Sequence, residues 1–138
     1  MFSENTYYYD IDYSPWFYDY PYNVKFSNEL ACLYSGGCVT YSMIQSAACI
    51  GYNEIYLIGV DFIYPSMVYH DGTVKENNVD GHFYDDGKPF SAHYDRMISG
   101  FMCAKQYAES HNIKIYNATR GGALEVFERV ALDELLEN

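Results

Sequence analysis

An α/β fold, with a mostly parallel sheet and flanking helices, is what this sequence predicts, on three observations. From Val39 the apolar residues Val39, Met43, Ile44, Ala47 and Ala48 recur three and four apart and run up to Gly51, the pattern of a helix with a left-handed stop. E-I-Y-L-I-G at Glu54–Gly59 is short and apolar with breakers near each end, which reads as a strand buried on both faces of a parallel sheet. A second helical stretch, Ser91 to about Ser110, leads into Ile113–Tyr116, the next strand. Helix, strand, long loop, helix, strand fits two right-handed crossover units of one α/β domain.

Taken in order, residues 1–23 are aromatic and acidic without a regular period. Seven of the chain's 17 tyrosines fall between Tyr7 and Tyr22, and Pro15 and Pro21 rule against a long helix. An irregular segment packed over the domain or over a partner is expected, in preference to a sugar-stacking platform. Asn23–Tyr34 holds a short strand or turn, and Ser35-Gly36-Gly37 breaks the chain before the first helix. Ser42, Gln45 and Ser46 form that helix's polar side. Asp61–Phe90 has no sustained period and is rich in Gly, Asp, Asn and Pro. A connection of that length is usually functional or disordered, so it is read as the active-site or lid loop.

Ser91 is placed to cap the second helix. Met97, Phe101, Ala104 and Ala108 make its buried face, with Ile98 and Met102 beside them. His111-Asn112 ends it. Asn117-Ala118-Thr119-Arg120-Gly121-Gly122 then turns at the C-terminal end of the next strand, and Leu124–Leu136 carries an edge strand or turn and a short helix. The whole is about half of a nucleotide-binding domain of Rossmann-like type. The glycine-rich first turn of such folds, G-x-G-x-x-G, is absent, so a C-terminal half or a minimal single domain is expected, with residues 24–138 as its α/β portion.

Composition narrows the function. A net charge of −11, with eight basic residues scattered along the chain, argues against nucleic acid and against anionic membrane surfaces. Cys32, Cys38, Cys49 and Cys103 show no CxxC pairing and read as buried free thiols in a reducing compartment. No signal peptide opens the sequence and no apolar run is long enough to cross a bilayer. The expected location is the cytoplasm, with attachment at the periphery of the inner membrane left open.

The chemistry-bearing groups each have two readings. Ser35, Gly36, Gly37 and Thr40 offer backbone N–H groups and hydroxyls to an anion at a helix start; small residues leading into a helix are the plainer account. Asp61 stands at a strand's C-terminal end, where open α/β sheets keep functional carboxylates; it equally suits capping of loop N–H groups. His70, His82 and His93 are the imidazoles near the loop, and one of them as a base is the sharper reading against a surface role for each. Asp71, Asp80, Asp85, Asp86 and His82 lack the spacing of a cation loop, so no metal site is assigned.

Gly37-Cys38-Val39-Thr40 through Gln45, followed by A-A-C-I-G-Y-N-E-I-Y-L-I-G-V-D-F, resembles the central segment of bacterial lipooligosaccharide sialyltransferases (glycosyltransferase family 42). It resembles equally a domain of unknown function (number 115) encoded among polysaccharide-biosynthesis genes, whose ending is similar to I-Y-N-A-T-R-G-G and the residues up to Leu136. The resemblance spans roughly residues 24–136. It implies a transferase that uses a nucleotide-sugar donor, CMP-sialic-acid-like, and a glycan acceptor, with no cofactor and no metal. Tyr64 and Tyr69 match the tyrosines that contact the donor phosphate, and His82 or His93 matches the general base. Cys38, Val39 and Thr40 match the stretch that holds the nucleotide. The ending departs from the sialyltransferases, and Arg120 in N-A-T-R-G-G is placed to meet an anionic group. Two other classes stay open: a non-catalytic nucleotide-sugar binding domain, and a metal-dependent diphosphokinase-type transferase. The tyrosine-rich N-terminal stretch offers an assembly surface, which allows a homo-oligomer.

Overall fold

The structure, a computed structural model, describes residues 9–14, 20–79 and 91–137. Those residues form a mixed α/β arrangement of three small sheets and three helices around one apolar core. Strands β1 (Asp10–Asp12) and β2 (Cys32–Tyr34) pair in parallel, Ile11 opposite Leu33. Helix α1 (Val39–Cys49) follows, then β3 (Glu54–Leu57), a hairpin of β4 (Ser66–Val68) and β5 (Val74–Glu76), and β6 (Ser91–His93). Helix α2 (Tyr94–Ser110) leads to β7 (Lys114–Asn117), β8 (Glu128–Arg129) and the short helix α3 (Leu132–Leu136). One sheet has the order β3-β7-β8, all parallel; the other has β5-β4-β6, with β4 antiparallel to β5 and parallel to β6.

The stops read from the sequence hold. Gly51, just past α1, has φ 95°, and Asn112, just past α2, has φ 56°, so a left-handed residue ends each helix. The buried face of α2 is Met97, Phe101, Ala104 and Ala108, as its period requires, whereas Met102 is half exposed.

Six expectations are corrected. The apolar row of α1 is only in part its buried face: Ile44 is buried as expected, but Val39 is 68% and Met43 63% exposed, while Tyr41, Ser42 and Gln45 are buried. Gln45 explains the rotation. Its Oε1 accepts from the N–H groups of Ser27 (2.9 Å) and Tyr34 (3.1 Å), and its Nε2 donates to the Tyr34 carbonyl (2.8 Å). The amide thus satisfies backbone that would otherwise lie buried and unpaired, which outweighs burying a few more methyl groups.

Strand β3 is not buried on both faces either. Leu57 faces the core, but Tyr56 and Ile58 are exposed, and among the described strands only β7 pairs with it. Ser91 begins a strand rather than capping a helix. The N-cap of α2 is His93, which makes no side-chain capping bond. Finally, the residues after Asp61 are not featureless, because β4 and β5 form within them. The stretch read as irregular contains β1, and Cys32, expected to be buried, is exposed.

Candidate functional site

The turn Ser35-Gly36-Gly37 is shaped first by packing. Ser35 is buried and its N–H donates to the Asp12 carbonyl (2.9 Å), which prolongs the β1–β2 ladder. Gly36 lies against the ring of Tyr41, and a Cβ on Gly100 of α2 would stand 2.6 Å from the Gly36 carbonyl oxygen. Gly37 has φ 87°, the left-handed turn that aims the chain into α1. Cys38 is the extended N-cap residue; its thiol makes no capping hydrogen bond but faces the N–H groups of Thr40 and Tyr41 in the first turn of α1. Beside them opens a cleft of about 430 Å³, lined among others by Ile11, Ser35, Gly37, Cys38 and Ser42. That volume is in the range of small-molecule sites.

Asp61 and Cys38 both act electrostatically on Tyr64. Burial pushes the Tyr64 phenol up to about 12, and the nearby Cys38 and Asp61 add to the rise. Burial also raises the Cys38 thiol, against the lowering effect of the Tyr41 and Thr40 N–H groups. At neutral pH both are therefore protonated.

Between Asp61 and Tyr64, Phe62 is buried at φ 57°. A bulky residue rarely adopts that backbone. The conformation drops the Phe62 ring into the core while Asp61 stays exposed. The Asp61 carboxylate accepts weakly from the Ile63 N–H (3.4 Å), and its carbonyl accepts from the Ala123 N–H (2.6 Å). The loop-capping reading of Asp61 is thus realised, and its second carboxylate oxygen accepts no bond among the described residues.

The N-A-T-R-G-G turn closes the same end of the sheet. Asn117 is buried, donates to the Leu124 carbonyl (2.9 Å) and accepts from the Thr119 N–H (3.0 Å). The Thr119 hydroxyl accepts from the Val60 N–H (3.0 Å) and so ties β7 to the end of β3. Gly122 comes so near that a Cβ there would lie 2.7 Å from the Asp61 backbone. Arg129 donates to the carbonyls of Thr119 (3.3 Å), Gly121 (2.7 Å) and Gly122 (3.2 Å) and holds the turn shut. Arg120, by contrast, is exposed and ion-paired with Asp133 of α3.

The remaining candidates are spread over a ring cluster. Tyr64 packs edge-on to Phe62 (5.8 Å between centroids), Phe62 touches Tyr94 (5.4 Å), and Tyr94 touches Tyr69 (5.0 Å). Tyr64 and Tyr69 are thus two ends of one aromatic row. Beyond Tyr69, His70 Nδ1 lies 2.9 Å from the Asp95 carboxylate, which also accepts from the His70 N–H (2.8 Å), and Tyr20 stacks on the imidazole at 3.9 Å. His93 is exposed and sits opposite Val68 in the sheet. Thr40 lines a different groove, along the outer side of β3. His82, with Asp80, Asp85 and Asp86, lies outside the described residues, and the Asp71 carboxylate accepts from the Thr73 N–H in a turn.

Sequence reasoning missed three things: Cys38 as a neighbour of Tyr64, the His70–Asp95 pair, and Arg129 as a brace. None of the three left a signal in local spacing; Arg129 also forms an ion pair of 2.7 Å with Glu125. Among the described residues no group of three or more His, Cys, Asp or Glu is close enough to hold a metal ion, and no helix is long and apolar enough to cross a membrane. No protein family, no curated protein and no solved structure matches the chain.

Proposed function

We propose that this chain is the Rossmann-like part of a transferase that uses a nucleotide-activated sugar, in the synthesis of a surface polysaccharide or lipooligosaccharide. The observation that carries the reading is the largely buried Tyr64 phenol, pushed up to about 12 by burial and further by the electrostatics of Cys38 and Asp61, with Cys38 itself lining the cleft at the start of α1. A donor phosphate bound over the first N–H groups of α1 is favoured by the helix dipole. When the bond from the sugar's anomeric carbon to the phosphate oxygen breaks, negative charge grows on that oxygen. A phenol with a raised pKa keeps its proton and donates to the oxygen as the charge develops. Tyr69, at the other end of the ring row, serves the donor from the far side. The acceptor hydroxyl gives its proton to His93 or His82. Ser35, Gly36, Gly37 and Thr40 act mainly by shaping the α1 start, Asp61 meets the donor's ribose, and Arg120 meets an anionic group.

The buried backbone around Gly36 and the loop-capping bonds of Asp61 also support a binding domain without turnover. One experiment separates the readings. CMP-, UDP- and GDP-sugars are screened by thermal shift on the full chain, and a binding donor is then followed for release of its nucleotide with and without Tyr64→Phe and Tyr69→Phe. Binding with release, lowered about 100-fold or more by Tyr64→Phe, supports the transferase. Binding with no release supports the binding domain, and absence of any nucleotide-sugar binding removes both.

A further inference from the structure

The two outer strands of the β3-β7-β8 sheet end very differently. On one side β8 is two residues long and carries Glu128 and Arg129, the short charged edge that keeps other chains away. On the other side β3 reads E-I-Y-L and continues into Ile58, with neither lysine nor proline to protect it. The register exposes its backbone in a regular way. The Lys114 N–H donates to Asn53, and the Ala118 N–H to Leu57, both at 2.9 Å. Residues 53, 55 and 57 therefore face β7, and the N–H and C=O groups of Glu54, Tyr56 and Ile58 point outward. Alongside this edge runs a groove of about 440 Å³ whose other wall is α1, including the exposed Met43 and the half-buried Ala47.

We infer that the outer edge of β3 pairs with the same edge of a second copy of this chain, antiparallel and centred on Tyr56. Two facts favour a second copy over a different occupant. The outward groups are self-complementary: with Tyr56 opposite Tyr56, Glu54 falls opposite Ile58, and each facing pair exchanges two hydrogen bonds across the two-fold axis. Charge agrees. Residues 30–53 and 55–60 contain no charged side chain in a protein of net charge −11, so this is a surface where two copies meet without repulsion. The single carboxylate in the seam, Glu54, lies opposite an isoleucine rather than its own copy, and it is already paired with Lys114 at 3.4 Å. Joined this way the two sheets become one, and the α1 helices lie on the same side of it, with Met43 and Ala47 of each filling the other's groove.

The test is oligomeric state and register. Sedimentation of the full chain over a range of concentrations should show a monomer–dimer equilibrium. Tyr56→Lys sets like charges opposite each other and should raise the dissociation constant at least about tenfold. Ile58→Lys, opposite Glu54, should raise it less. In a Cys32→Ser background, Tyr56→Cys should give a disulfide-linked dimer on mild oxidation, since directly opposed residues fall within disulfide reach. Tyr52→Cys, opposite Val60 and far from its own copy, should not. A chain that stays monomeric at every concentration overturns the inference, whatever else covers the edge. A dimer weakened more by Ile58→Lys, or cross-linked through Tyr52 and not Tyr56, overturns it equally, and circular dichroism of each variant separates lost pairing from lost folding.

Discussion

The carbonyl oxygen of Gly36 lies where Gly100 must have no side chain: a Cβ on Gly100 would approach it to 2.6 Å. The turn before α1 and the middle of α2 are thus in backbone contact, and this contact sets the height of the α1 start above the core. Gly36 itself leaves room only for the Tyr41 ring, whose hydroxyl donates to the Lys25 carbonyl at 2.7 Å.

Gly100→Ala should therefore destabilise by about 1–3 kcal/mol, as overpacking does. Gly59→Ala meets nothing within 4 Å but must hold φ 74°, so its cost is the left-handed strain alone, roughly 1–2 kcal/mol. Urea unfolding measures both. Because only the first substitution pushes α1 away from α2, it alone should also weaken ligand binding at the α1 start. A fully stable Gly100→Ala would mean that the two elements can part freely.

Gln45→Leu conserves volume roughly but strips partners from the backbone of Ser27 and Tyr34. The expected loss is about 2–4 kcal/mol, from buried groups left unpaired. Amide exchange should accelerate at those two residues in particular. A neutral outcome would show that water replaces the amide.

Raising the pH above 10 should destabilise the fold through Tyr64. Its folded pKa of about 12 exceeds the ordinary value of 10.0, so below pH 10 both states hold the proton and its contribution is complete. Between about 10 and 12 the unfolded chain loses its proton first, and stability falls. Burial raises Tyr41 in the same direction. Melting temperature followed against pH should fall less steeply for Tyr64→Phe than for the wild type, and an unchanged slope would place Tyr64 in water.

Arg129→Ala removes the donor from three carbonyls of the N-A-T-R-G-G turn, whereas Arg120→Ala removes an exposed ion pair with Asp133. Faster amide exchange at residues 118–123 is expected for Arg129→Ala and not for Arg120→Ala. If Arg120 holds an anionic ligand, its loss should instead weaken binding without changing exchange. Equal exchange in both variants would remove the bracing role assigned to Arg129.

Period and punctuation in the sequence determined a good part of this protein. The apolar period of α2 and the turn residues Gly51 and Asn112 placed two helices correctly, because these signals act within a few residues. The strand Glu54–Leu57 was legible for the same reason. What only the tertiary structure decided was which surface each element buries. Gln45 turned α1 over by meeting the backbone of β2, and among the described strands β3 is an edge because β7 occupies just one of its sides. The site shows the same division. Asp61 could be named from its place after a strand and Tyr64 only from the resemblance, while the influence of Cys38 on Tyr64 arises only through the fold. His70 and Asp95, 25 positions apart, meet only because β4 and β6 pair in parallel, at Val68 and His93, just before them. Contacts between distant segments depend on three-dimensional register, which local residue patterns do not encode.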